Sequence, residues 1–320
     1  MRELNENEKS TIWIAKGIAA IAIVSCHCCW VNVNASAWNQ VSYNFMFFWN
    51  WLGVPVFYFF AGFFYNNRVD FYAFWKKKIN SIIVPWLFTG TIVWLYVVLR
   101  KGGMTFETWL QFVCLKQSYL YFLTDLIIFF AITWRVKKEK QLVIILSLLI
   151  IVSVLNGIFG INLLEELNKY VYLSNYAYFL LGKILSFHTQ QKMHNRYGIV
   201  VISLWAILQF AGTQWSVVGC IGILIGGLGI VGIIYISSWL RESLIGNELE
   251  KWGRRSFSIY LLHMPFAGIT ANILNRSEKL AFLTILRPII VIIVTSCVIE
   301  GVIYCARKVK LLKYLIGCRE

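Results

Sequence analysis

About ten apolar stretches, each near the roughly 20 residues that a helix needs to cross hydrocarbon, recur along this chain and dominate what it can become. They run over 12–31, 46–65, 82–99, 118–134, 141–160, 171–187, 197–211, 215–238, 256–274 and 283–305. The composition points the same way. Hydrophobic residues make up 59% of the 320 positions, aromatic residues 17% and charged residues 14%, and the mean hydropathy is +0.66, more than a soluble domain tolerates. The expected fold is all-α, a polytopic membrane bundle.

Charge sets the expected orientation. With the N-terminus inside, the cytoplasmic segments hold about 21 basic residues and the external ones about six, the asymmetry that fixes topology. Both termini are then cytoplasmic. The cytoplasmic set is Arg2, Lys9, Arg68, Lys76 to Lys78, Arg135, Lys137, Lys138, Lys140, Lys192, Arg196, Arg241, Lys251, Arg254, Arg255, Arg307, Lys308, Lys310, Lys313 and Arg319; the external set is Arg100, Lys101, Lys116, Lys169, Arg276 and Lys279. Spread through alternate short loops, these residues account for the formal charge of +15 by topology and anionic lipid, and no nucleic-acid module is visible. There is no Pro/Ser-rich linker and no low-complexity tract, so residues 1–320 read as one integral-membrane domain.

Two tempting motifs dissolve on inspection. Successive positions of Cys26-His27-Cys28-Cys29 diverge by about 100° on a helix, so the four cannot converge on one metal ion. Cys26, Cys28, Cys29, Cys220, Cys297 and Cys305 fall within spans and read as small packing residues. The glycines from Gly219 to Gly232 lack the strand–turn–helix context of a phosphate loop; Gly222 and Gly226 instead allow a neighbouring helix to come close.

Polar side chains inside spans carry the functional signal, because ionisable groups in hydrocarbon are costly and mark binding or reaction paths. Lys16 and His27 lie eleven positions apart in the first span, nearly one azimuth on a helix and about 16 Å of rise. His263, in a segment that begins at Ser256 and passes Tyr260, enters from the same side and reaches a comparable depth. Two imidazoles could then share one cavity, each able to accept a proton from an attacking hydroxyl or to hold a transient acyl group. Asp125 and Glu300 are the other intramembrane acids. Asp125 could orient a histidine, bind an acceptor hydroxyl or make a simple interhelical bond; Glu300 reads as a partner of inner basic side chains. Arg287 at the entry of the tenth span and Trp30, Trp38, Trp49 and Trp51 around the first outer loop read mainly as interfacial anchors.

Several of these segments resemble the membrane acyltransferase 3 family, which includes bacterial sugar O-acetyltransferases. Lys16-Gly17 followed by an apolar run ending in His27 is similar to its first-span motif, and Pro55 to Phe64 to its second-span pattern. Lys76 to Pro85 resembles its basic inner loop, Tyr119 to Leu123 its fourth-span opening, Tyr178 to Lys183 its sixth, and Ser256 to Pro265 its ninth-span signature. This chain departs from the pattern at Trp13, where Asp is common, at Lys16, where Arg is usual, at Ser81, where a second loop Arg is expected, and at Tyr121, where Trp is typical. No SGNH-type soluble domain is expected after the last span.

The resemblance implies a multi-pass protein of a bacterial plasma membrane that moves an acyl group, acetyl by expectation, from cytoplasmic acyl-CoA to a hydroxyl of a surface glycan or lipid-linked saccharide. On these positions His27 and His263 are the catalytic candidates. Lys16, Lys76, Lys77 and Lys78 are the acyl-CoA-binding candidates, with Asp125, Ser256 and Tyr260 in support. Acyl-CoA is donor substrate; no bound cofactor or metal is expected, and the surrounding partners are membrane lipids. A proton-coupled transporter using Lys16, His27, Asp125 and His263 is the alternative, though no convincing repeat links the two halves as that class expects.

Overall fold

The computed structural model describes residues 4–27, 44–50, 52–115, 118–159, 171–188, 196–214, 221–275 and 286–318. Cys28, Cys29, Cys220, Trp30, Trp38, Trp51 and the cations Arg2, Lys116, Lys169, Lys192, Arg276, Lys279 and Arg319 lie outside the described residues, as do the side chains of Arg196 and Arg287. The described residues are 84% helical, with no strand among them.

Among the described residues the helices include, in order, α1 (Glu6–Cys26), α2 (Gly53–Phe63), α3 (Phe71–Lys78), α4 (Val84–Lys101), α5 (Phe106–Val113), α6 (Tyr121–Thr133), α7 (Glu139–Phe159), α8 (Leu173–Leu185), α9 (Arg196–Gln214), α10 (Gly222–Leu240), α11 (Leu244–Arg254), α12 (Ser256–Asn275), α13 (Arg287–Arg307) and α14 (Lys310–Leu315). A π-turn over Ile79–Ile83 joins α3 to α4 without a break.

Each of the ten stretches expected from the sequence contains a helix, and among the described residues seven helices are long and apolar enough to cross a bilayer: Glu6–Cys26, Asn44–Phe63, Phe71–Lys101, Glu139–Phe159, Gly222–Leu240, Ser256–Leu274 and Pro288–Arg307. Tyr121–Thr133 and Tyr197–Gly212 are shorter apolar helices. Helices α6 and α8 have 13 residues each. Their rise of about 20 Å falls short of the roughly 30 Å of hydrocarbon, which is why apolar sequence alone overstates their reach. Helix α7 shows what surrounds the bundle: of its 21 residues only Leu142 is buried, while Val143, Ile144, Leu148 and Ile151 face outward. Such an apolar cylinder suits lipid and would aggregate in water.

Local sequence explains how α1 is placed. Asn5 caps it, accepting from the Glu8 N–H at 2.8 Å while its own N–H donates to the Glu8 carboxylate at 2.9 Å. Each such cap contributes about 1 kcal/mol. Helix α11 then lies tight against α1, because a Cβ on Gly17 would sit 2.1 Å from the Leu249 carbonyl oxygen and one on Gly253 would sit 1.7 Å from that of Trp13. At the same seam Ser10 donates to Glu250 at 2.6 Å and Arg254 pairs with the other oxygen. Burial opposes ionisation of Glu250, but the Ser10 hydroxyl and the Arg254 guanidinium outweigh it and hold the carboxyl below its ordinary range. A carboxyl depressed on folding stabilises above its unfolded pKa, so this tie is complete at neutral pH and lost as acid protonates Glu250.

The core is aromatic and centres on α2, α6 and α8. Tyr58, Tyr65, Phe129, Phe130 and Phe179 are fully buried in it, with Tyr65 stacked on Phe130 at 5.5 Å. Tyr65 also donates to the Phe130 carbonyl at 2.8 Å, which satisfies its hydroxyl inside the bundle. Gly226 meets the Tyr178 hydroxyl, and that hydroxyl donates to the Gly222 carbonyl at 3.1 Å. The close approach expected at Gly222 and Gly226 is therefore made by a side chain from α8. Glu300 on α13 pairs with Arg255 at the start of α12.

Candidate active site

His27 ends α1. Its N–H donates to the Val24 carbonyl at 3.1 Å, closing the last turn, and its ring leaves the helix toward α12. There it meets His263, with ring centroids 5.1 Å apart and planes tilted by 38°. The two imidazoles placed at similar depth by sequence are in contact.

The surroundings of His263 follow from the run Tyr260-Leu261-Leu262-His263-Met264-Pro265. Its Nδ1 lies 2.7 Å from the Tyr260 carbonyl oxygen. A carbonyl only accepts, so Nδ1 carries the proton and in the neutral ring Nε2 is the bare lone pair. That Nε2 is buried with no hydrogen-bond partner among the described residues, and the residue is wholly inaccessible. Pro265 has no N–H, so the carbonyl four residues back, Leu261, loses its helical donor. The Tyr119 hydroxyl replaces it at 2.7 Å, and the Tyr260 hydroxyl returns the bond to the Tyr119 carbonyl at 2.5 Å. Tyr119 thereby sits edge-on to His263, 5.1 Å between centroids. Tyr119→Phe should strand the Leu261 carbonyl at membrane depth and cost about 1–3 kcal/mol; a thermal melt of the purified variant unchanged from wild type would contradict this coupling.

Asp125 stands one aromatic layer away. Wholly buried on α6, it accepts from the Tyr58 hydroxyl at 3.0 Å and more distantly from the Tyr172 N–H at 3.4 Å, where α8 begins. The Phe122 ring bridges this group to the histidines, 4.6 Å from Tyr58 and 5.1 Å from Tyr260.

Lys16 occupies a different setting. Its ammonium lies over three rings, Trp13 at 4.8 Å, Phe64 at 5.3 Å and Phe60 at 5.7 Å. No carboxylate pairs with it among the described residues. Trp13 thus offers Lys16 a π-face in place of a counter-ion, and Arg254 approaches the same indole at 5.4 Å. Lys16 turns toward α2 and His27 toward α12.

Of the remaining sequence candidates, Lys76 and Lys77 are exposed where α3 passes into the π-turn, and Lys78 folds its ammonium over Phe130 at 4.4 Å. Ser256 opens α12 seven residues before His263, about 10 Å away along the axis. The structure brings His27, His263 and Tyr260 together, keeps Asp125 adjoining, and leaves Ser256 two turns down the helix. Sequence reading missed the roles of Tyr58, Tyr119, Tyr172, Phe60 and Phe64. The signal for Tyr119 was present in principle, since Pro265 announces an orphaned carbonyl that some donor must meet.

Neither curated proteins nor solved structures gave a match to this chain. A family model described as an acyltransferase domain, that of acyltransferase 3, matches residues 11–304, a stretch that takes in both histidines, Lys16, Asp125 and the aromatic core. The chain belongs to the acyltransferase 3 family of membrane acyltransferases.

Proposed function

We propose that this protein transfers an acyl group, acetyl in the simplest case, from cytoplasmic acyl-CoA to a hydroxyl of a surface glycan or lipid-linked saccharide. The carrying observation is the His27–His263 ring contact, with the unpartnered Nε2 of His263 turned into a buried setting. In the direct form of the reaction His27 takes the acceptor hydroxyl proton as the new C–O bond forms. The C–S bond breaks, and the proton goes on to the departing thiolate, giving free CoA. His263, holding a lone pair at Nε2, shares or relays that proton. Two neutral imidazoles in a water-poor site suit this work, because neither must first shed a charge.

The charge bias places the N-terminus in the cytoplasm, so the Lys16 end of α1 faces the donor pool and the His27 end lies deeper. Lys16, with no counter-ion among its described neighbours, is free to serve the thioester or pantetheine arm, while the Lys76 to Lys78 run suits the nucleotide phosphates. Lys16→Met should keep the aromatic box filled yet raise the KM for acyl-CoA at least tenfold, with Lys16→Arg intermediate; an unchanged donor KM in the Met variant would remove Lys16 from the donor site. Labelled acetyl-CoA supplied to inside-out vesicles tests the whole proposal. Label should reach glycan or lipid only when His27 is intact, and solute flux driven by a pH gradient without label transfer would favour a transporter.

A further inference from the structure

The corner where α6 and α8 begin carries features that the donor chemistry does not use. The rings of Tyr121 and Tyr172 meet there at 4.9 Å and 70°, forming a two-walled aromatic angle. Tyr172 is 39% exposed and Tyr121 part-buried, so the angle opens to the outside of the packed core. One helical turn inward lies Asp125, fastened by the Tyr58 hydroxyl. The Phe122 ring, next to Tyr121 in the chain, lies 5.1 Å from that of Tyr260. Tyr260, on the far side, lies 5.8 Å from His263 between ring centroids. An aromatic angle, a carboxylate and several hydroxyls therefore lead, residue by residue, from an accessible edge to the two imidazoles.

We propose that Tyr121 and Tyr172 form the acceptor subsite, that it takes an uncharged saccharide ring, and that the Asp125 carboxylate beneath disfavours acidic sugars. The assignment rests on the acyltransferase reading above. Stacking suits it because a pyranose presents C–H-rich faces that pack on aromatic rings, while its edge hydroxyls find the phenolic oxygens. The two rings touch edge to face at 70°, so a sugar seated in their outer corner would lay one face on one tyrosine and set its edge against the other. Discrimination is electrostatic. Asp125 is wholly buried and touches no acceptor directly; it acts as a positioning residue for Tyr58 and as a field source. In a low-dielectric setting an anion brought near a carboxylate is repelled far more strongly than in water.

The test uses purified full-length protein in lipid nanodiscs, with acetyl-CoA as donor and CoA release as readout, first without acceptor and then with p-nitrophenyl hexosides or the matching hexuronides. Wild type should release CoA slowly alone, faster with hexosides, and at least tenfold less efficiently with hexuronides. Tyr172→Ala should raise the hexoside KM at least tenfold, a larger change than any fall in kcat; Tyr172→Phe, which keeps the ring, should stay within a few fold of wild type. Asp125→Asn should narrow the hexoside-to-hexuronide preference. Should that variant fail to fold, Tyr121→Trp serves in its place, retaining stimulation by hexosides with an altered KM. Equal use of hexuronides by wild type, or a Tyr172→Ala variant with wild-type hexoside KM, overturns the subsite while leaving the transfer reaction standing. Absence of His27-dependent CoA release with any acceptor overturns the acyltransferase reading, and the subsite with it.

Discussion

His27→Ala is expected to slow acyl transfer by about 10³-fold, the usual scale for removing a positioned general base. The substitution empties one side of the 5.1 Å ring contact but removes no helical hydrogen bond, since the backbone N–H to Val24 remains. Folding should therefore survive, and acyl-CoA should still bind at the Lys16 end of α1. The informative comparison is a double-mutant cycle with His263→Ala. Two residues that handle one proton act as a unit, so the double variant should be scarcely worse than His27→Ala alone. Simple additivity of the two losses would mean that the rings work independently. A folded, membrane-inserted His27→Ala protein with wild-type turnover would remove the histidine from the chemistry altogether. Asn or Gln at position 263 adds a further distinction: either restores an acceptor atom without a transferable proton, so it should recover stability and not rate.

Much of this arrangement was legible in the sequence because membrane burial makes polar residues conspicuous. His27 and His263 stood out as imidazoles at matching depth, and they do meet. The helical character of every span was equally plain, since hydrophobic runs of this length have few alternatives in lipid. Legibility fails where position depends on a distant carbonyl or ring. Nothing near Lys16 in sequence says that Phe60 and Phe64, one turn apart on another helix, will line its pocket, although their spacing of four places them on one face. The pairing of Tyr119 with Leu261 joins residues 142 apart and exists because Pro265 silences one donor. The short α6 and α8 mark another boundary. Their sequences are apolar enough to suggest full spans, yet they pack mainly against other helices, so burial in protein accounts for the hydrophobicity that lipid seemed to demand. Asp125 illustrates the opposite case, a residue noticed for its charge whose partners, Tyr58 and the start of α8, no spacing rule identifies.

Gly182→Ala should be among the most damaging single-methyl additions in the protein, costing more than about 3 kcal/mol because the obstacle is backbone. A Cβ there would lie 1.9 Å from the Phe59 carbonyl oxygen and 2.9 Å from the Phe63 nitrogen, and the mirror position Gly62 would place its own 1.9 Å from the Phe179 oxygen. Helices α2 and α8 are thus locked by two reciprocal notches, a small-residue crossing of the kind that lets membrane helices pack without a hydrophobic driving force. No rotamer change relieves either contact; the helices must part by more than 1 Å, and packing forfeits much of its dispersion energy over such a gap. The consequence reaches the site, because α8 begins at the Tyr172 N–H that leans on Asp125, and α2 carries Tyr58. Gly182→Ala should therefore lower both the midpoint of thermal unfolding in detergent and acyl transfer. Gly301→Ala is the matched control, since nothing lies within 4 Å of its added Cβ, and alanine is the better helix former by roughly 1 kcal/mol. If the two variants melt alike, the α2–α8 seam is more yielding than this geometry allows, and the rigidity assigned to the Asp125 corner goes with it.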